Sequence, residues 1–142
     1  MLHCDETSRP VPPAVVVHGA ADVERACAPG LKLTLLSAPG AAVFAGPGWW
    51  LALIRQSRAR HGGLIAHDIL DCADAPGLAL AALRLGQRTL ILDRACPAFD
   101  TVLTTATSLG ARLQANRPDA LDMAVPGAER RLAAWLTGQT SA

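Results

Sequence analysis

The segment Asp71-Cys72-Ala73-Asp74-Ala75-Pro76-Gly77 carries the densest chemistry in the chain, two carboxylates and a thiol just ahead of a stretch that reads as a helix. A thiol at the amino end of a helix feels the positive end of the helix dipole, which favours the thiolate. Cys72 is then a candidate nucleophile, with His18 or His67 as its base. The competing roles are structural: Asp74 caps the helix, Asp71 bonds a neighbouring loop, and Cys72 fills a small apolar space. The structural roles are favoured, because no Cys-His local signature surrounds Cys72.

Ser37-Ala38-Pro39-Gly40-Ala41 is a second candidate, a glycine-bearing turn into a helix whose backbone N–H groups suit a phosphate or carboxylate. The Walker lysine is absent, and no Gly-x-Gly-x-x-Gly follows the first strand, so classical nucleotide binding is not expected. His18 closes the apolar run Val15-Val16-Val17, and Asp93 closes Ile91-Leu92. A histidine at a strand end is more often satisfied by local backbone than used in chemistry. His18, His67, Asp71 and Asp93 lack helical ligand spacing, so no metal site is expected. The catalytic candidates are thus Cys72, Asp71 and His18. The ligand-binding candidates are His18, Ser37, Gly40, Asp71, Asp74 and Asp93.

These residues share one kind of position, the end of an apolar run just before a helical pattern. Val15–Val17, Leu31–Ser37, Ile65–Cys72, Thr89–Asp93 and a weaker Ala111–Ala115 read as strands. Helices are expected over Asp22–Ala28, Trp49–Arg60, Asp74 or Pro76 to Gly86, Pro97 to Gly110, and Pro126–Leu136, with a short apolar segment ending at Ala45. Ile69-Leu70-Asp71 and Ile91-Leu92-Asp93 open two units that repeat at about the length of one βα unit. Nearly all-apolar strands alternating with helices predict an open, mainly parallel five-stranded sheet with helices on both faces, of the Rossmann or flavodoxin kind. Half of a (β/α)8-like barrel is the alternative, since a whole barrel needs about 250 residues. Ligands of such sheets sit at the carboxyl ends of the strands, where strand order switches, which is where the candidates gather.

The chain of 142 residues is long enough for a single core, and 51% hydrophobic against 18% charged residues exclude a disordered polymer. The expected organisation is a flexible arm over 1–13, one α/β domain over 14–138, and a tail over 139–142. A net charge of +1 supplies no field toward nucleic acid. Leu33–Ile54 is uncharged and long enough to span a bilayer, but Pro39-Gly40 and Gly46-Pro47-Gly48 would break such a helix twice, so no membrane partner is expected. The arm lacks an apolar run, and the cysteines show no Cys-x-x-Cys pair, which suits a cytoplasmic protein with reduced thiols.

Trp49-Trp50 follows Gly46-Pro47-Gly48. Adjacent helical positions point about 100° apart, so one ring is expected in the core and the other at a rim or a subunit contact. Leu35–Ala42, Ala45–Trp50 and Asp71–Gly77 together resemble a group of small bacterial α/β proteins of unassigned function, and the resemblance covers Val15 to Asp122. It implies a coherent unit and supplies no catalytic residue. Two functions remain open: a small molecule or anion bound at the strand ends, with or without catalysis and with no cofactor assigned, or a non-catalytic module that forms homodimers through Gly46–Ile54.

Overall fold

The computed structural model describes residues 10–138; the first nine residues of the expected arm, with His3 and Cys4, and the tail 139–142 lie outside them. The elements run β1 (Ala14–Val17), α1 (Ala20–Cys27), β2 (Leu33–Ser37), α2 (Ala41–Phe44), α3 (Pro47–His61), β3 (Ile65–Asp71), α4 (Pro76–Arg84), β4 (Thr89–Ile91), α5 (Phe99–Ser108), β5 (Arg112–Gln114), β6 (Ala120–Asp122) and α6 (Ala128–Leu136). The architecture is the α/β one expected, an open parallel sheet of Rossmann or flavodoxin kind, with six strands rather than five, in the order β5-β4-β3-β2-β1-β6. The additional strand is β6, only three residues long. Three residues are too few to show a strand period of their own; pairing with β1, Ala14 beside Ala120 and Val16 beside Asp122, makes it a strand.

Strand composition explains the sheet's interior. All four residues of β1 and all five of β2 are buried, as β-branched and leucine side chains alternate between two apolar layers. Val15, Val17, Leu33, Leu35, Leu70, Leu90, Leu92 and Leu121 meet the buried residues of the helices in one large cluster. Ala14, Val16, Leu36, Ile69 and Ile91, with Ala120 against them, form a smaller cluster made of strand residues alone. The two faces are therefore unequally covered: the helices expected on both faces contribute their buried residues to one of them. From β1 to β5 each crossover steps the same way across the sheet, and right-handed crossovers that keep one direction keep their helices on one side.

The link 115–119 runs from one edge strand to the other, and Arg117 within it reaches the ends of β2 and β3. At the opposite end of the sheet, Thr34 ties the chain before β1: its Oγ1 donates to the Pro12 carbonyl at 2.8 Å and its N–H to that of Pro13 at 3.0 Å.

Trp50 is fully buried in α3 and donates its indole N–H to Asp68, whereas Trp49 is half-buried, as the 100° offset requires. Asp68 also receives Arg58 and Gln87, so its partly buried carboxylate pins α3 to β3. No helix among the described residues is long and apolar enough to cross a membrane.

Candidate functional site

Strand alternation decides what the carboxyl edge displays. Val15 and Val17 face the helices, so His18 continues the opposite face; by the same alternation Asp71 follows Ile69, Asp93 follows Ile91 and Asp122 follows Ala120. The three aspartates are built alike. Each bends its carboxylate back onto the N–H two residues on, Asp71 to Ala73 at 2.8 Å, Asp93 to Ala95 at 2.9 Å and Asp122 to Ala124 at 2.9 Å. Such side-chain turns stop a strand and start a loop. A Leu-Asp-x-Ala segment underlies all three: Leu70 to Ala73, Leu92 to Ala95 and Leu121 to Ala124. The repeat read from the first two units thus has a third copy, the signal by which Asp122 was legible and was missed.

Two polar groups form at this edge, with opposite characters. The first joins β2, β3 and the link 115–119. The Asp71 N–H donates to Ser37 Oγ at 2.9 Å, Arg117 Nη1 donates to Asp71 Oδ2 at 2.7 Å, and Arg117 Nη2 to the Ser37 carbonyl at 3.0 Å. Ser37 is fully buried, and the Asp71 side chain is only 7% exposed. The Ser37 hydroxyl and both Asp71 oxygens are spent on other residues of the chain, which leaves this group bound to itself. Arg117 has no precursor signal in the sequence, being one arginine in a stretch without periodicity.

The second group joins β1 and β6. His18 Nε2 lies 2.8 Å from Asp122 Oδ1, and the two side chains are 38% and 36% exposed. Burial pushes the Asp122 carboxyl up, but the Ala124 N–H, the His18 ring and the Arg117 charge outweigh it and hold the group below its usual range. The His18 backbone N–H donates to Asp22, whose other oxygen takes Arg25 at 2.6 Å. Arg25 continues to Glu129 at 2.7 Å and to the Met123 carbonyl at 3.2 Å. Beside this chain lies a groove of about 460 Å³, lined by Arg25 and the continuous stretch 123–130. Gly127, with φ of 82°, makes the left-handed turn into α6, and the Arg130 guanidinium folds back so closely that a Cβ on Gly127 would meet it at 3.1 Å.

The candidates from sequence divide accordingly. His18, Ser37 and Asp71 reach one edge, but His18 pairs with Asp122 while Ser37 and Asp71 are locked with Arg117. Asp93 is exposed and holds its own turn. Asp74 does not cap α4: Ala75 occupies that position, no side chain caps it, and Asp74 is exposed. The Asp71 turn has already directed the chain there, so Asp74 is left pointing away. Gly40 supplies φ of 70° ahead of α2, which is a single turn of four residues and so has little dipole to offer an anion.

Cys72 takes the structural role favoured from its sequence, not the nucleophile's. It is fully buried, and burial, with the Asp71 charge adding to it, pushes its thiol up to about 12, against the lowering that a helix dipole would give. Neither histidine bonds it: His18 is paired with Asp122, and His67 lies exposed early in β3, beside Thr34. Cys72 is a core residue. Among the described residues no group of three His, Cys, Asp or Glu side chains is placed to hold a metal ion. No protein-family model matches the chain, and no curated protein matches it either.

Proposed function

We propose that the protein binds a small anionic molecule, a carboxylate or phosphate ester, in the groove between α1 and α6 at the carboxyl ends of β1 and β6. The observation that carries this reading is the groove itself, of about 460 Å³, in the size range of small-molecule sites and beside the one place where sequential strand order breaks. Its charge favours an anion. Arg25 is balanced by Asp22 and Glu129, but Arg130 has no carboxylate partner among the described residues and stands at the positive end of α6. His18, held by Asp122, is the adjoining proton donor or acceptor.

Isothermal titration with inorganic phosphate and small dicarboxylates tests the reading. Binding with a dissociation constant of about 1 mM or tighter is expected, and Arg130→Ala should weaken it about tenfold, the size of one charge-assisted contact. Absence of binding by all of these anions overturns it.

A second reading is supported by a specific observation. Phe44 is 71% exposed and Val43 57% in α2, just ahead of the Gly46–Ile54 region with its half-buried Trp49, which supports self-association through that region and the helix before it. A monomer by sedimentation at several hundred micromolar protein would remove it. Free, buried Cys27, Cys72 and Cys96 support a reducing compartment, the cytoplasm. We also place the chain with the small bacterial α/β proteins it resembles, on the segments Leu35–Ala42, Ala45–Trp50 and Asp71–Gly77.

A further inference from the structure

We propose that residues 115–138 form a lid that docks and undocks as one unit, latched by Arg117, and that Arg25 joins the groove only while the lid is down. The groove is lined by 123–130 of the lid and by one side chain of the body, Arg25, which reaches it across the seam. The inference deepens the binding reading by naming what controls access to that site, yet the docking step itself requires no ligand.

Connectivity separates this unit from the rest. Each crossover from β1 to β5 contains a helix that packs on the sheet, whereas β5 and β6 are joined only by 115–119. β6 has one neighbour, β1, and three paired positions along it. An edge strand so short, attached through one ladder, belongs to the parts of a fold that open before the whole.

Polar contacts cross the seam at separate points, above apolar packing that joins the main core. Arg117 binds Asp71 and the Ser37 carbonyl, His18 binds Asp122, Arg25 binds Glu129 and the Met123 carbonyl, and the Trp135 indole donates to the Ala14 carbonyl at 2.8 Å. Leu121, Met123, Leu132 and Trp135 add apolar burial, so the docked state dominates. Arg117 is the latch because its contacts reach past β1 to the centre of the sheet and its partner Asp71 is buried. Undocking therefore leaves a buried carboxylate without its cation.

Hydrogen exchange of the full chain, read by mass spectrometry on wild type and Arg117→Met, tests this. In the wild type, amides of 120–136 should exchange ahead of those in β2 and β3. In Arg117→Met they should exchange about tenfold faster still, and still ahead of β2 and β3. The proposal is overturned if 120–136 exchanges together with β2 and β3 in the wild type. Should the variant fail to fold, the wild-type comparison decides alone. Added inorganic phosphate separates the two ideas: slower exchange over 120–136 supports both, while an unchanged pattern over a lid that opens early counts against phosphate binding and leaves the lid standing.

Discussion

The ends of β2 and β3 and the ends of β1 and β6 carry similar residue types, yet one is closed and the other open. Asp71 is 7% exposed and bonded on both oxygens; Asp122, built on the same side-chain turn, is 36% exposed, and its Oδ1 alone meets both the Ala124 N–H and a histidine that solvent reaches. The difference lies in what crosses above them. Arg117 covers the centre of the sheet, while the edge beyond β1 is left to α1 and the loop into α6, which stand apart enough to leave a groove. A carboxylate at a strand end is thus structural or available according to its neighbours, and residue type alone does not separate the two.

The widest contrast should appear in thiol reactivity beside the closed end. Peptide-resolved alkylation at pH 7.5 should modify Cys72 on the order of a thousandfold more slowly than an ordinary exposed cysteine, since a thiol pushed up to about 12 is almost wholly protonated there. A rate near that of a free thiol would mean that the closed end opens readily.

Stability should then divide the two ends. Asp71→Ala removes one partner of a mostly buried pair and should cost about 3 kcal/mol in urea denaturation, against under about 1 kcal/mol for His18→Ala at the exposed pair. Equal costs would erase the distinction between the ends.

The open end should show its own pH signature. The folded-state Asp122 carboxyl is held below its ordinary value, so its contribution to stability is complete above about pH 3.9 and is lost as pH falls through the lower folded value. The stability gap between wild type and Asp122→Asn should accordingly be present at pH 6, below about 1 kcal/mol because the pair is exposed, and close in stronger acid. A gap that persists to the acid limit would assign the effect to packing.

The smallest effect is expected at Ala73, whose φ of 50° lies in the left-handed region that side chains avoid. The Asp71 carboxylate holds its N–H, and its carbonyl accepts from Asp93 at 2.8 Å. Ala73→Gly relieves the strain at some cost in unfolded-chain entropy and should stabilise by about 0.5 kcal/mol, measurable as a shift in the denaturation midpoint. A loss instead would show that the Ala73 methyl packs more than it strains.

Local chemistry determined a great deal of this protein. Apolar runs such as Val15–Val17 and Leu33–Ser37, and punctuation such as Pro76 and Gly110, specify strands, helices and turns through neighbours a few residues away. Because side chains alternate along strands and loops follow strand ends, the same local order also placed His18, Asp71 and Asp93 at the carboxyl edge. Tertiary structure decided the rest. That β6 is a strand, that Asp122 meets His18, that Arg117 seals Asp71, and that Cys72 is pushed up by burial all depend on contacts between residues far apart in the chain or on the depth of the core. Three-residue strands and single ion pairs carry no periodicity of their own; their free energy comes from partners that only the folded chain brings near.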